Sequence, residues 1–405
     1  MGIVKRLGVV VLLLLGALTL SWVLPFFYHL AFDREYDVPF SVYSGVTGTF
    51  AILGGAEHRY ADDAGRVYTR AQFDSILPGL YYSQLAVDGR FPDTLHGQPI
   101  TVEEMERSFF VFHCKPQEVN RVSIPLYPLL DGDARRVAFA EPTEVFRWGQ
   151  AGIELLSIDE NRVLREKSQR FRQALAGLVL PVQLTVGDPN VRKEYDNGYL
   201  IVDGANALFQ LKEAGGEPVV RRLMGPPEGQ IAQVWVTEFE DRLSLGYVAT
   251  TLGGFYRIDA RTGACVELPI GGFDPRTMSL VLLGNKFDQT VKIIQERAVR
   301  YVALSGGAGA PRVLRTRQLD VPEMASARVG RFLVPFELHF SDGDSAQVYP
   351  RILWSGVSSL VLGVLLALAT MVVFRRFSCG RRIVSALGVL FLGVYLLIPL
   401  LLWRD

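Results

Sequence analysis

Cysteine is scarce: Cys114, Cys265 and Cys379 are the only three in 405 residues. Three cysteines do not build a disulfide framework, and these lack the paired spacing of a zinc ligand set. Histidine is scarce too. His29, His58, His96, His113 and His339 are the five, and none stands three or four residues from another. His113 adjoins Cys114, but neighbours in a strand point to opposite faces, so no shared metal is expected. An excess of either charge is missing as well. Lys and Arg number 42, Asp and Glu 42, and the formal net charge is zero. A nucleic-acid partner would call for a basic excess, so none is expected. Charged residues make up 21% of the chain and hydrophobic residues 49%, which excludes a disordered or collagen-like chain.

Catalytic motifs are also missing. The chain has no Gly-x-Ser-x-Gly elbow. Ser305-Gly306-Gly307-Ala308-Gly309-Ala310 lacks the Lys-Ser/Thr ending of a phosphate loop and reads as a hairpin tip. The paired acids Asp62–Asp63 and Glu103–Glu104 fall at a turn and a helix start, where they serve solvation and capping. No catalytic, metal-binding or cofactor-binding residue is assigned, and no cofactor is expected.

What the sequence does have is long uncharged runs. Leu7 to Phe27, Leu353 to Phe374 and Ile383 to Trp403 each approach or exceed the roughly 20 residues of a membrane-crossing helix. The first follows Lys5 and Arg6 and ends in Trp22-Val23-Leu24-Pro25-Phe26-Phe27 without the small residues of a cleavage site. It reads as an uncleaved signal anchor. Lys5 and Arg6 place the N-terminus in the cytoplasm. Arg375, Arg376, Arg381 and Arg382 place the link between the second and third runs there too. The expected layout is a signal-anchor helix in 1–27, an α+β segment in 28–135 and a β-rich domain in 136–352 with one helix near 162–177. A transmembrane helix over 353–374, a cytoplasmic arginine loop over 375–382 and a third transmembrane helix over 383–403 follow. Residues 28–352 and the C-terminus then lie outside a bacterial inner membrane. This layout polarises the zero charge: about six positive charges sit inside, while the outer segment holds 35 basic and 41 acidic residues. In the second helix Ser355, Ser359, Gly363 and Ala367 recur every four residues. Such a small-residue ridge permits close helix approach, with helix one, helix three or another protein as its partner.

The outer segment reads as mainly β. Gly198–Asp203, Ala207–Lys212 and Pro218–Val220 are echoed by Gly246–Thr251, Gly254–Asp259 and Cys265–Leu268. Val291–Ile294 and Arg300–Leu304 keep the step of about 45 residues, the period of propeller blades. Further strands are expected at Arg136–Phe139, Val145–Trp148 and Ile153–Leu156, and a hairpin over Phe336–Val348 turning at Ser341–Asp344. Asp159 or Asn161 is expected to cap the helix, with Leu164, Phe171, Leu175 and Leu178 on its buried face and Arg165, Lys167, Arg170 and Arg172 on a solvated one. Thr69 with Gln72 and Thr101 with Glu104 are capping boxes in the α+β segment. Cys114 and Cys265 both lie on the oxidising side, either as free buried thiols or as one disulfide.

Several stretches resemble a known family: Leu77-Pro78, Tyr81-Tyr82, Gln84-Leu85 and Asp88-Gly89-Arg90; Trp148-Gly149, Ile153-Glu154, Asn161, Lys167-Ser168 and Ala174-Leu175; Gly187-Asp188-Pro189, Lys193 and Gly198-Tyr199; Leu283-Gly284-Asn285 and Val348-Tyr349-Pro350-Arg351. Together they resemble the bacterial envelope family known as domain of unknown function 4857, from about Tyr28 to the C-terminus. The resemblance implies no activity and no catalytic residues. It implies an accessory role beside subunits of ATP-driven, ABC-type transporters. The expected function is therefore an outward-facing binding or scaffold protein, not an enzyme, whose partners are the lipid bilayer and another membrane protein. The alternatives are an envelope enzyme with its site on the β-rich domain, or a sensor that needs a cytoplasmic partner.

Overall fold

The computed structural model describes residues 3–32, 38–54, 60–120, 124–132, 139–307, 309–340 and 350–403. The chain forms two compact units, one of Asp37–Asp320 and one of Met1–Tyr36 with Val321–Asp405. Each has its own core. The smaller unit opens with α1 (Ile3–Phe32), an apolar helix without a polar stripe.

The larger unit begins with an antiparallel sheet of β1 (Phe40–Ser44), β2 (Thr49–Leu53) and β3 (Tyr60–Asp62). The Asp62 carboxylate closes the next turn, accepting the Ala64 and Arg66 N–H groups and the Tyr68 hydroxyl. There follow α2 (Arg70–Ile76), α3 (Tyr82–Val87), a hairpin of β4 (Thr94–Leu95) and β5 (Gln98–Pro99), α4 (Val102–Ser108), β6 (Phe110–Cys114) and α5 (Pro116–Asn120). Both expected capping boxes are present, Thr69 with Gln72 on α2 and Thr101 with Glu104 on α4.

Four successive antiparallel meanders fill the remaining described residues of this unit. The first is β7 (Tyr127–Leu129), β8 (Glu144–Gly149), β9 (Gly152–Ser157) and β10 (Arg162–Val163), followed by α6 (Arg165–Ala174). The second is β11 (Leu184–Gly187), β12 (Tyr199–Val202), β13 (Leu208–Ala214) and β14 (Glu217–Arg222). The third is β15 (Ile231–Val236), β16 (Ser244–Thr250), β17 (Phe255–Asp259) and β18 (Cys265–Glu267). The fourth is β19 (Ser279–Gly284), β20 (Asp288–Ile294), β21 (Ala298–Ser305) and β22 (Val313–Asp320). The repeating blocks of sequence occupy matching places: β12, β16 and β20 are second strands, and β13, β17 and β21 are third strands.

The division at 135/136 is not kept. β6 adds to the free edge of β19 as the fifth strand of the last sheet, with Leu280 opposite Cys114 and Leu282 opposite Phe112. An open sheet edge recruits whatever strand can satisfy it, and no local pattern reveals a pairing across so much chain. The first sheet also starts early, at Tyr127. The expected strand at Arg136–Phe139 lies largely outside the described residues, and Phe139 is not in a strand.

The inserted helix is shorter than expected. Asn161 does not cap it, but takes a left-handed conformation (φ 46°) in the turn before β10. The N-cap is Leu164, without a side-chain hydrogen bond. Its inner face is as expected: Phe171 and Leu175 pack with Phe146, Leu155, Tyr199 and Ile201, and Leu164 and Leu178 flank them. Ser168 is also buried there, donating to Leu164 O and accepting the Leu155 N–H.

The smaller unit continues with α7 (Ala325–Leu333), β23 (Phe336–His339), β24 (Arg351–Trp354), α8 (Ser358–Val373), α9 (Cys379–Leu392) and α10 (Val394–Leu402). Three uninterrupted crossing helices are not what it contains. Among the described residues one helical stretch is long and apolar enough to cross a membrane, Leu7–Phe32, and most of it is not buried. The second run loses its start because Leu353 and Trp354 pair with Glu337 and Phe336 in the β23–β24 sheet. That leaves α8 with 16 residues, about 24 Å at 1.5 Å per residue against a hydrocarbon core of about 30 Å. The third run breaks at Gly393 (φ 56°, ψ −135°), which ends α9 and starts α10. A Cβ on Gly388 would touch Leu396 Cδ2 at 2.6 Å, although eight residues of straight helix would separate them by about 12 Å; the chain folds back there. The hairpin near Phe336 returns through Arg351–Trp354, not before Val348, and its expected turn lies outside the described residues.

Candidate functional site

The helical unit turns its apolar side chains outward. Leu30, Val372, Val384 and Leu402 are 71%, 70%, 69% and 84% exposed. Trp22, Phe26, Trp354, Leu368 and Phe391 are exposed as well. Its inner core is small, built from Ala17 on α1, Phe374, Val389 on α9, and Tyr395, Leu396 and Leu400 on α10. Pro399 packs within 3.3 Å of the Cβ position of Gly16, and the Tyr395 hydroxyl donates to Phe336 O.

The ridge residues are distributed as follows. Ser355 precedes α8 and lies off the helix. Ser359 and Gly363 are buried, and Ala367 is half-buried. A Cβ on Gly363 would stand 2.5 Å from the Leu390 carbonyl oxygen, so the hydrogen side chain lets α8 and α9 touch backbone to backbone. Thr370 continues this face, fully buried, donating to Leu366 O. The topology arginines gather at the turn between the two helices. Arg375 and Arg376 follow α8 and are exposed; Arg381 and Arg382 lie in the first turn of α9. The Arg381 guanidinium lies 4.3 Å over the Phe377 ring. Lys5 and Arg6 lie near the start of α1.

One cluster in this unit escaped the sequence. His29 Nε2 on α1 and His339 Nε2 on β23 both approach Glu337 Oε2, at 3.1 and 2.9 Å. Glu337 and His339 are neighbours on one face of β23, but His29 joins them from the far end of the chain, so no spacing announces the cluster. Among the described residues no group of three or more His, Cys, Asp or Glu is arranged to hold a metal ion.

The β-rich unit holds three polar centres. In the first, a cavity of about 30 Å³, room for a water, lies against Ser44, Leu77, Pro78, Asn285, Asp288 and Thr290. It gathers two stretches of the family resemblance, Leu77-Pro78 and Leu283-Gly284-Asn285. Asn285 Oδ1 accepts the Phe287 and Asp288 N–H groups, which closes the β19–β20 turn. His96 stands at the tip of the β4–β5 hairpin with φ 52°, a left-handed conformation costly for a residue with a Cβ. Its Nε2 lies 3.6 Å from Asp288 Oδ2. The buried Asp288 carboxylate raises the His96 pKa above its ordinary value, against the opposing effect of partial burial.

The second centre ties the β11–β12 and β15–β16 loops together. Lys193 Nζ donates to Asp196 and Glu238 at 2.7 and 2.8 Å, and the same Glu238 oxygen accepts the Asn197 N–H. Burial raises the Glu238 pKa and lowers that of Lys212 nearby. The third contains Lys167, which is not on a solvated face but donates to Glu144 and Glu213 at 2.5 and 2.7 Å. These ties are paired charges in a largely dry setting, which fix geometry more than they add stability. Trp148 Nε1 donates to Thr185 and the Tyr199 hydroxyl to Pro128 O, joining the first two meanders.

Cys114 is buried and Cys265 half-buried; both are free, and burial pushes each thiol up to about 12. His113 points away from buried Cys114 to the surface. Cys379 is free and exposed in the arginine turn.

No curated protein matches the chain. Among solved structures, the β-propeller domain of Myceliophteria thermophila Cps50 (Swd1) is similar at 9% identity, covering 50% of this chain and 88% of that one with a TM-score of 0.19. The model of one family covers residues 40–304, and the chain belongs to that family, described as Domain of unknown function (DUF4857).

Proposed function

We propose that this protein is a membrane-embedded scaffold whose β-rich unit binds a partner outside the cell membrane. The single observation that carries the reading is the apolar exterior of the helical unit. Leaving so many Leu, Val and Phe side chains in water costs about 25 cal/mol for each Å² of apolar surface. Large exposed apolar patches mark membrane or protein contacts, and a bilayer covers this one on every side.

In this reading α1 crosses the bilayer from an N-terminus in the cytoplasm. The α8–α9 pair enters from the outer side, and the long arginine side chains of its turn make up for the short α8 by reaching to the cytoplasmic headgroups. The four meanders are blades of a propeller-like body, and their loops present the docking face. The envelope setting and an ABC-type transporter partner come from the family resemblance. Washing crude membranes with sodium carbonate at high pH tests the embedding. The chain is expected to stay in the pellet, and its release into the supernatant would sink the reading. Purification in mild detergent is expected to bring down other membrane subunits; a clean monomer would remove the scaffold role.

A further inference from the structure

The turn between α8 and α9 carries more than a topology signal. From Ser345 to Arg404 the chain contains no Asp or Glu. Arg375, Arg376, Arg381 and Arg382 therefore lie in a stretch without a local counter-charge. The patch is also partly fixed in place. Phe374 is buried and its ring stands 4.9 Å from that of Phe377, which in turn carries the Arg381 guanidinium on its face. Arg382 Nε is buried and has no hydrogen-bond partner. No side chain caps α9, and no acid stands in its first turn. The first backbone N–H groups of a helix find no acceptor within it, so here they add positive potential to the guanidinium groups.

The flanks decide the partner. Val372 and Val373 on α8 and Val384 and Leu387 on α9 are exposed beside the arginines. A charged patch that meets two apolar helix faces suits a ligand with an anionic head and an apolar tail. We propose that the α8–α9 turn binds the phosphate of an anionic phospholipid, with Arg381 and Arg382 at the headgroup and the valine faces along the acyl chains. Planar guanidinium groups suit phosphate because they donate two parallel hydrogen bonds. This inference rests on the membrane reading given above.

The test uses the full-length protein in an uncharged detergent, with native mass spectrometry to measure retained lipid. The probes are phosphatidylglycerol, phosphatidylcholine and free inorganic phosphate. Wild type is expected to prefer phosphatidylglycerol over phosphatidylcholine. R381Q/R382Q should weaken that preference by roughly 25-fold, about fivefold for each arginine near an anionic surface. R375Q/R376Q leaves α9 untouched and should weaken it in the same direction. R381K/R382K keeps the charge but loses the two parallel hydrogen bonds, and should fall between wild type and R381Q/R382Q. Equal retention of the two lipids by wild type would overturn the site, as would an undiminished preference in R381Q/R382Q. Displacement of phosphatidylglycerol by inorganic phosphate at equal concentration would overturn the lipid assignment. Carbonate washing separates the two proposals: a chain that stays in membranes yet shows no lipid preference defeats this inference alone.

Discussion

His96 is the residue whose chemistry the fold changes most plainly. In the sequence it is an unpaired histidine in a short Leu-His-Gly-Gln turn. In the structure it faces the buried Asp288 carboxylate, which raises its pKa. Because the folded value lies above the unfolded one, the contact contributes fully below the unfolded value of about 6.5. It fades as pH rises through the folded value. Denaturant midpoints of wild type and His96→Asn should therefore differ most near pH 5.5, below the unfolded value, and converge as pH rises through the higher folded value. A gap that stays constant with pH would mean that His96 acts by packing alone. Other residue-level signals were legible beforehand. Thr69 and Thr101 were readable as caps because a capping box is a contact three residues long. Ser168 and Lys167 were not, because their partners Leu155, Glu144 and Glu213 sit on other elements.

Elements are legible in the sequence where their signal is periodic and hidden where a neighbour overrules it. Phe171 and Leu175 marked the buried face of α6 because helical spacing puts them there. Its start lies later than the helical pattern suggests, because Arg162 and Val163 are claimed by pairing with Ser157 and Leu156. The last apolar run looked continuous because hydropathy does not register a backbone angle, and one glycine with φ 56° breaks it. The α8–α9 contact makes a sharp prediction. Gly363→Leu would drive a side chain into the Leu390 carbonyl oxygen, which no rotamer avoids. Overpacking of this kind typically costs about 1–3 kcal/mol, and more where the obstacle is backbone. In detergent, G363L should unfold at lower temperature than wild type and lose protease resistance at the 375–382 turn. G363A should show the same effects more weakly. Unchanged melting of G363L would mean that α8 and α9 do not touch there.

At the scale of the whole molecule, the free cysteines report sidedness without any engineered tag. Cys379 is exposed in the arginine turn, Cys114 is buried, and Cys265 is half-buried with its thiol pushed up to about 12. The thiolate is the form that reacts with maleimides, so Cys379 should dominate labelling. With a membrane-impermeant maleimide, inside-out vesicles should label and intact spheroplasts should not. Labelling of spheroplasts that Cys379→Ser abolishes would invert the proposed topology.

The sequence by itself determined that an uncharged helix opens the chain, that repeated β blocks fill its middle and that arginines punctuate its apolar end. These are properties of short windows: hydropathy over a helix length, spacing within a hairpin, charge within a loop. Tertiary structure alone decided that β6 completes a sheet begun more than 160 residues later. It decided too that Leu353 and Trp354 belong to a strand, that Gly393 folds the last helix back, and that His29, Glu337 and His339 meet. Each of these depends on which distant surface is left unsatisfied once the local elements have formed. An open sheet edge, a carbonyl beneath a missing side chain and a buried carboxylate select their partners by geometry, and geometry is what a linear pattern does not contain.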